Sequence, residues 1–418
     1  MEGSKKLARY SFIGFEPKST IMVRDGELEA SVNGDRIHEK VTDPLPKVKE
    51  FLTEHVSPYS GLRFVGGAVG YISYDAVRYW EKLPELSTHE LNFPDLEFGV
   101  YDDGIIFDHR NRAAFYYYYG ENRFAEVKES LKRPIDHTPL TYTEPAPNIS
   151  QDKFEKAVLR AKDYIASGDV IQAVLSKRYA FTIKGDLINF YASLRRINPS
   201  PYMYFLKMGE RYIVGSSPEM LVRVEGRAVE TFPIAGTRPH FSDRRKNAAL
   251  TRELLEDPKE RAEHVMLVDL ARNDIGKIAR FGSVSIPHFM KVHQYSHVQH
   301  IVSRVVGRLR DECDCYDTLK AVFPAGTVSG APKIRAMEII EELEPSRRGP
   351  YAGAVGYFSY NGNADFAITI RTLVADGAKA YIQVGAGIVS DSVPDKEWAE
   401  TDYKSRALTQ ALEVSEGV

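Results

Sequence analysis

Two stretches of the chain carry carboxylate pairs three residues apart. In DPKERAEHVMLVDLARND, Asp257 suits a helix cap and Pro258 the first helical position, so Glu260 and Glu263 fall on one helical face. In SVPDKEWAETDYKSRALTQALE, Pro394 opens a helix and Glu397, Glu400 and Lys404 follow at spacings of three and four. Alone, either pair describes a solvated face, because glutamate is a favoured surface residue. The neighbourhood of the second pair argues for chemistry. GAGIVSDSVP supplies a glycine-rich turn just before it, where backbone N–H groups can face an anion.

Other segments repeat this logic. FPAGTVSGAPKIRAMEIIEELEP runs through small or hydroxylated residues from Ala325 to Ala331 and places Pro332 at a helix start, with Ile334, Met337 and Ile340 as an apolar stripe. Such a helix start attracts anions, but the spacing of a nucleotide phosphate loop is not met and no Lys-Ser/Thr pair closes it. PIAGTRP, around Gly236 and Thr237, is read as a second small-residue turn. SHVQHIVSRVVGRL is a strand that sets His300 on the face of Val298 and Val302, where a histidine is more often a hydrogen-bonded core residue than a catalyst. Its role stays open at this level. Cys313 and Cys315 have no partner at zinc spacing and read as inert thiols.

The frame that positions these groups is large. The chain has 418 residues, and 58 acidic against 55 basic side chains leave a net charge of -3. No basic field exists to collect a phosphate backbone, so nucleic acid is not an expected partner. No stretch approaches the ~18 uninterrupted apolar residues of a membrane span. The N-terminal MEGSKKLARYSFIGFEP lacks the apolar core of a secretion signal, and a cytoplasmic protein is expected.

Short β-rich runs at Ile21 to Val23, Ile105 to Phe107 and Ala114 to Tyr119 predict a sheet in the first third. The Pro- and Thr-rich stretch 135–150 reads as a linker, dividing a sheet-rich region, 1–149, from a second domain, 150–418. The segment after it predicts a helix, with Phe154, Val158, Ala161 and Ile165 at helical spacing, an Asp152-x-x-Glu155 capping pattern and Gly168 as its stop. GAVGYISY at Gly67 and GAVGYFSY at Gly353 are read as central strands of packed sheets that need small residues where they cross, which suggests that the two ends of the chain share one core.

Taken together, IQAVLSKR, GSSPEM, PIAGTRP, KERAEHVMLVDLARND, YSHVQHIVSRVVG, FPAGTVSGAPK, RGPYAGAVGY, FAITIRT and GAGIVSDSVPDKEWAET resemble the chorismate-utilising enzymes, in family order from Ile171 to Lys404, with RYSFIG and GYISYDAVR fitting in the N-terminal part. The resemblance implies an α+β fold of two large, mainly antiparallel sheets packed face to face with helices outside, the second domain binding chorismate. It implies Mg²⁺ as cofactor, with Glu263 and Glu400 as direct ligands and Glu260 and Glu397 reaching the ion through water. Tyr351 and Arg371 match groups that hold the enolpyruvyl carboxylate; Lys404, Thr327, Gly385 and Gly387 match those around the ring carboxylate; Gln172 and Thr237 also fall in the substrate site. Glu219, in SSPEM, matches the acid for the departing C4 hydroxyl, and His300 is the candidate for proton transfer.

Within the family, the position of Gln172 is a lysine in water-using branches, and that of Ala235 is often a nucleophilic lysine in the aminodeoxychorismate synthases. Neither is present. The anthranilate-forming branch, which leads toward tryptophan, is therefore expected, with ammonia adding at C2 and pyruvate leaving. The chain lacks the Cys-His-Glu machinery of a glutamine amidotransferase, so a separate subunit of that kind is expected to supply the ammonia. The rival within the family forms aminodeoxychorismate and releases no pyruvate. A nucleotide-dependent phosphotransferase using PAGTVSG and a chorismate-binding regulator without turnover are rivals from other classes. An inhibitor site for tryptophan is implied at Asn198, Pro199, Ser200, Pro201, Tyr202 and Met203, but its Leu-Leu-Glu-Ser half is missing upstream of Arg9, so weak inhibition or none is expected.

Overall fold

The computed structural model describes residues 9–32, 34–52, 61–133, 138–294 and 298–415. The β-rich runs form strands at Ser19–Arg24, Asp103–Asp108 and Ala113–Tyr118. Three sheets result. A twelve-stranded sheet runs from Ile234–Pro239 and Val298–Arg308 through Met220–Glu225, Ala364–Ile368, Ala354–Ser359 and Gly67–Ile72 to Asp35–Lys40. An eight-stranded sheet is built on Gln172–Lys184, Lys379–Ile388, Thr372–Asp376, Arg211–Ser217 and Tyr202–Met208, and a three-stranded sheet contains Tyr10–Ile13. The strands named here pair antiparallel.

The two large sheets face each other through Tyr71, Val355 and Ala367 on one side and Ile213 and Val374 on the other. Helices cover their outer faces. Val268 and Ile275 of the Pro258–Gly276 helix pack on the larger sheet, and Leu408, Ala411 and Leu412 of the Pro394–Ser415 helix pack on the smaller. This is the α+β arrangement expected. Burying apolar area between sheets and under helices is the main term holding it, at roughly 25 cal/mol per Å².

The two GAVGY segments are neighbours in one sheet, not strands of two sheets that cross. Gly67–Ile72 pairs with Ala354–Ser359, and Gly70 stands opposite Gly356. A Cβ at Gly70 would come 2.0 Å from the Glu97 carbonyl, and one at Gly356 2.1 Å from that of Asp365, so both strands need glycine to lie against their next neighbours. The two ends of the chain do share a core, because strands from before and after Ser150 complete the same sheet.

The stretch expected to be a linker is built into the smaller sheet. Thr141–Tyr142 and Ala146–Pro147 pair with Gln172–Lys184, and Leu140 is fully buried. The helix after it spans Gln151–Ala166, and its cap is Ser150, which accepts from the Lys153 N–H, because Asp152 already lies inside the first turn. Gly168 follows it with a φ of 81°. Cys313 and Cys315 are buried free thiols, and burial pushes the Cys315 thiol up. No helix among the described residues is long and apolar enough to cross a membrane.

Candidate active site

Both carboxylate helices form as their prolines indicate. Asp257 accepts from the N–H groups of Lys259 and Glu260, with Pro258 in the first turn. The second helix starts at Pro394. Their acidic faces meet. Burial raises the Glu263 carboxyl, and its neighbours Glu260 and Glu400 raise it further. Burial also raises Glu397, with Glu400 adding to it. Two of the four are held by cations: Glu260 by Arg238 Nη1 at 3.0 Å and Glu400 by Lys404 Nζ at 2.8 Å.

Arg238 was not singled out by the sequence. It bonds Glu253, Asp257 and Glu260 at once, at 2.9, 3.0 and 3.0 Å, tying its strand to two helices. The second helix has its own anchor. The Lys177 side chain is fully buried, with Nζ 2.5 Å from Asp402 Oδ1 and 3.1 Å from the centroid of the Trp398 ring, while the Tyr179 hydroxyl also donates to Asp402. A buried lysine costs desolvation unless paired, so this contact fixes the face that carries Glu397 and Glu400.

The glycines before this helix form part of a strand, not a turn. Lys379–Ile388 pairs with Gln172–Lys184, placing Gly385 opposite Ser176 and Gly387 opposite Val174. A Cβ at Gly385 would lie 2.6 Å from the Tyr351 hydroxyl, and one at Gly387 2.8 Å from Gln172 Nε2. Removing both side chains lets Tyr351, Gln172 and Lys404 converge, and Lys404 Nζ donates to the Gly385 carbonyl at 2.9 Å. Gln172 is buried, and its Oε1 has no hydrogen-bond partner among the described residues. An unsatisfied buried acceptor is costly.

Glu219 and His300 sit on the strand side. Burial raises the Glu219 carboxyl to about 7, while the Thr327 hydroxyl, Arg371 and Lys404 pull it back. This one group therefore senses three other predicted site segments. Arg371 stands at a φ of 50°, unusual for a residue with a side chain. Burial lowers the pKa of its guanidinium, which Glu219 and Tyr403 oppose. His300 Nδ1 lies 2.9 Å from the Gly236 carbonyl and 3.1 Å from Thr237 Oγ1. Burial and Arg371 both hold its pKa below the ordinary histidine value.

Three expectations are corrected. PIAGTRP is mostly a strand, Ile234–Pro239, with a bulge between Ala235 and Thr237. In PAGTVSGAPK, Gly326–Ser329 is a single helical turn, and Lys333, which opens the helix after Pro332, is buried against Asp274 at 2.7 Å and the Val322 carbonyl at 2.8 Å. Met337 and Ile340 of that helix are buried, but Ile334 is exposed, and Ala336 and Ile339 complete the apolar face.

The segment from Asn198 to Met203 leads into the edge strand of the smaller sheet, and the Ser216 hydroxyl donates to the Asn198 carbonyl. Asn198 ends the Leu187–Ile197 helix, Ser200 is buried, and Tyr202 donates to Asp365 at 2.8 Å and accepts from Arg223 at 3.1 Å. Met203 follows in the edge strand.

The sheets and this cleft define a chorismate-utilising architecture, and comparison with known proteins agrees. The chorismate binding enzyme family matches residues 2–410, and the chain belongs to that family. It is 50% identical to anthranilate synthase component 1 of Methanothermobacter thermautotrophicus, over 99% of this chain and 88% of the relative. It is also 43% identical to aminodeoxychorismate synthase component 1 of Bacillus subtilis, over 99% and 92%. Among solved structures, anthranilate synthase component I of Streptococcus pneumoniae superposes with a TM-score of 0.86 at 40% identity, covering 96% of this chain and 92% of that one.

Among the described residues, no three acidic, histidine or cysteine side chains stand close enough to enclose a bare cation. The donor set nonetheless suits Mg²⁺, which keeps most of its water and takes one or two carboxylates. Glu260 and Glu400 push Glu263 up and Glu400 pushes Glu397 up, a repulsion across two helices that a divalent ion would relieve.

Proposed function

We propose that the chain is the chorismate-aminating component of an anthranilate synthase, converting chorismate and ammonia to anthranilate and pyruvate. The observation that carries this reading is the absence of a competing nucleophile in a cleft otherwise equipped for the reaction. Ala235 is a buried methyl group on the strand beside His300, and Gln172 offers an amide where a base would activate water. The names of the relatives favour anthranilate formation, and an aminodeoxychorismate relative at 43% identity makes the product the decisive test.

In this reading Arg371 and Tyr351 hold the enolpyruvyl carboxylate, and Lys404 with the Gly385–Gly387 backbone holds the ring carboxylate. Glu263 and Glu400 would bind Mg²⁺, with Glu260 and Glu397 acting through water. When bound, the ion supplies Lewis-acid withdrawal of electron density from the ring carboxylate. Ammonia adds at C2, and Glu219, protonated through much of the neutral range, gives its proton to the departing C4 hydroxyl. His300 then serves the loss of pyruvate that makes the ring aromatic. The desolvation that moves Glu219 and His300 also keeps water away from the aminated intermediate.

A separate glutamine amidotransferase subunit supplies the ammonia in the cell, and the assembly is cytoplasmic. The test is purified chain with chorismate, Mg²⁺ and ammonium at alkaline pH. Anthranilate fluorescence with pyruvate release supports the reading. An aminated, non-aromatic product without pyruvate moves the chain to the aminodeoxychorismate branch.

A further inference from the structure

The register of the large sheet breaks beside His300. Ile234 and Ala235 pair with Val302 and Ile301, Thr237 pairs with His300, and Gly236 is the residue left over. Its φ of 66° belongs to the left-handed region, which a glycine enters without strain. The bulge turns the Gly236 carbonyl to 2.9 Å from His300 Nδ1. A carbonyl oxygen can only accept, so Nδ1 carries the hydrogen. In a neutral imidazole the lone pair then resides on Nε2.

We propose that Gly236 is a positioning residue of the reaction, whose carbonyl locks His300 in the Nδ1–H tautomer and so makes Nε2 the proton acceptor of the aromatising step. This rests on the function proposed above. Nε2 takes the proton from C2, the C–H electrons become a ring double bond, and the C3–O bond breaks. The departing enolate of pyruvate keeps the C–O electron pair and takes at its methylene carbon the proton that Nε2 had accepted, which restores the neutral imidazole. No oxidant or further reactant is needed.

The same residue must lack a side chain for a second reason. A Cβ at position 236 would lie 2.9 Å from Glu260 Oε2 and 2.9 Å from Leu254 Cδ1. One glycine thus accommodates an acidic group on one side while orienting a base on the other. Thr237 Oγ1, 3.1 Å from Nδ1, is a weaker candidate for the lock, because a hydroxyl can donate or accept and would permit either tautomer.

The experiment is a long-range proton–nitrogen spectrum of the full chain labelled with ¹⁵N-histidine, recorded without substrate and assigned by loss of one ring in His300→Asn. The expected result is Nδ1 protonated and Nε2 unprotonated. A ring protonated at Nε2 and bare at Nδ1, or a charged ring at neutral pH, overturns the proposal whatever product the chain forms. Thr237→Val should keep the native tautomer. Gly236→Ala should populate the other tautomer and slow anthranilate release ~10²-fold, the size of a lost acid–base contribution, with the aminated intermediate accumulating. If Thr237→Val moves the tautomer instead, the lock is not Gly236. The native spectrum decides the matter even where Gly236→Ala fails to fold.

Discussion

Burial is the largest influence on both sides of the cleft, and the sides differ in what is added to it. On the helical side, Glu260 and Glu400 are partly open to solvent and paired with cations, with 21% and 48% of their side chains exposed. Burial leads at Glu263 and Glu397 too, and there the like charge of neighbouring carboxylates adds to it. On the strand side, burial is the largest influence on both Glu219 and His300. Helical carboxylates on long side chains can regroup around an ion and a dianion. Glu219, in the short connection between two strands, and His300, on a strand with a backbone carbonyl at Nδ1, cannot move far and are set in advance for proton transfer.

The largest effect should come from the helical side. Glu263→Gln removes a carboxylate whose neighbours are acidic, and turnover should fall about 10³-fold with a steep rise in Mg²⁺ requirement. A Mg²⁺ titration followed by calorimetry checks it; native activity at low Mg²⁺ would remove Glu263 from the metal site.

Glu219→Gln should cost about 10²-fold in amination, measured as chorismate consumption. Its pH signature distinguishes it from the helical carboxylates. Because the native pKa is raised to about 7, the group stabilises the fold fully only below the ordinary carboxylate value and loses that contribution as pH rises through 7. Thermal melts should therefore show the variant gaining on the native chain between pH 5 and pH 8, by ~2 kcal/mol at most. Parallel melting curves across that range would contradict the assigned shift.

Much of the helical side is legible in the sequence, because Asp257-Pro258 and Pro394 announce where the helices begin and the glutamate spacing does the rest. The strand side is less so. Glycine reports that backbone must pass closely or turn, but not which. Gly385 and Gly387 suggested a turn and proved to be strand residues making room for Tyr351 and Gln172. Gly236 likewise suggested a turn and occupies a bulge. Arg238 and Lys177 lay inside quoted motifs, yet their partners are 15 or more positions away, and only the fold brings Glu253 and Asp402 to them.

Lys177→Met should sharpen the comparison more gently. It exchanges a buried ammonium for an apolar chain of similar length, and Asp402, with 44% of its side chain exposed, can rehydrate. Stability should change by about 1 kcal/mol or less. The Mg²⁺ concentration for half-activity should rise about 10-fold, as for lost support of a ligand. A large drop in melting temperature with unchanged Mg²⁺ dependence would make the lysine purely structural.

The division of labour between the two sides is tested most directly by His300→Met in a rapid-quench experiment with chorismate, Mg²⁺ and ammonium. If the helical side and Glu219 govern amination while His300 governs aromatisation, chorismate is consumed and aminodeoxyisochorismate accumulates while pyruvate release lags. Unreacted chorismate alone in the quenched samples, with neither intermediate nor pyruvate, would contradict that division.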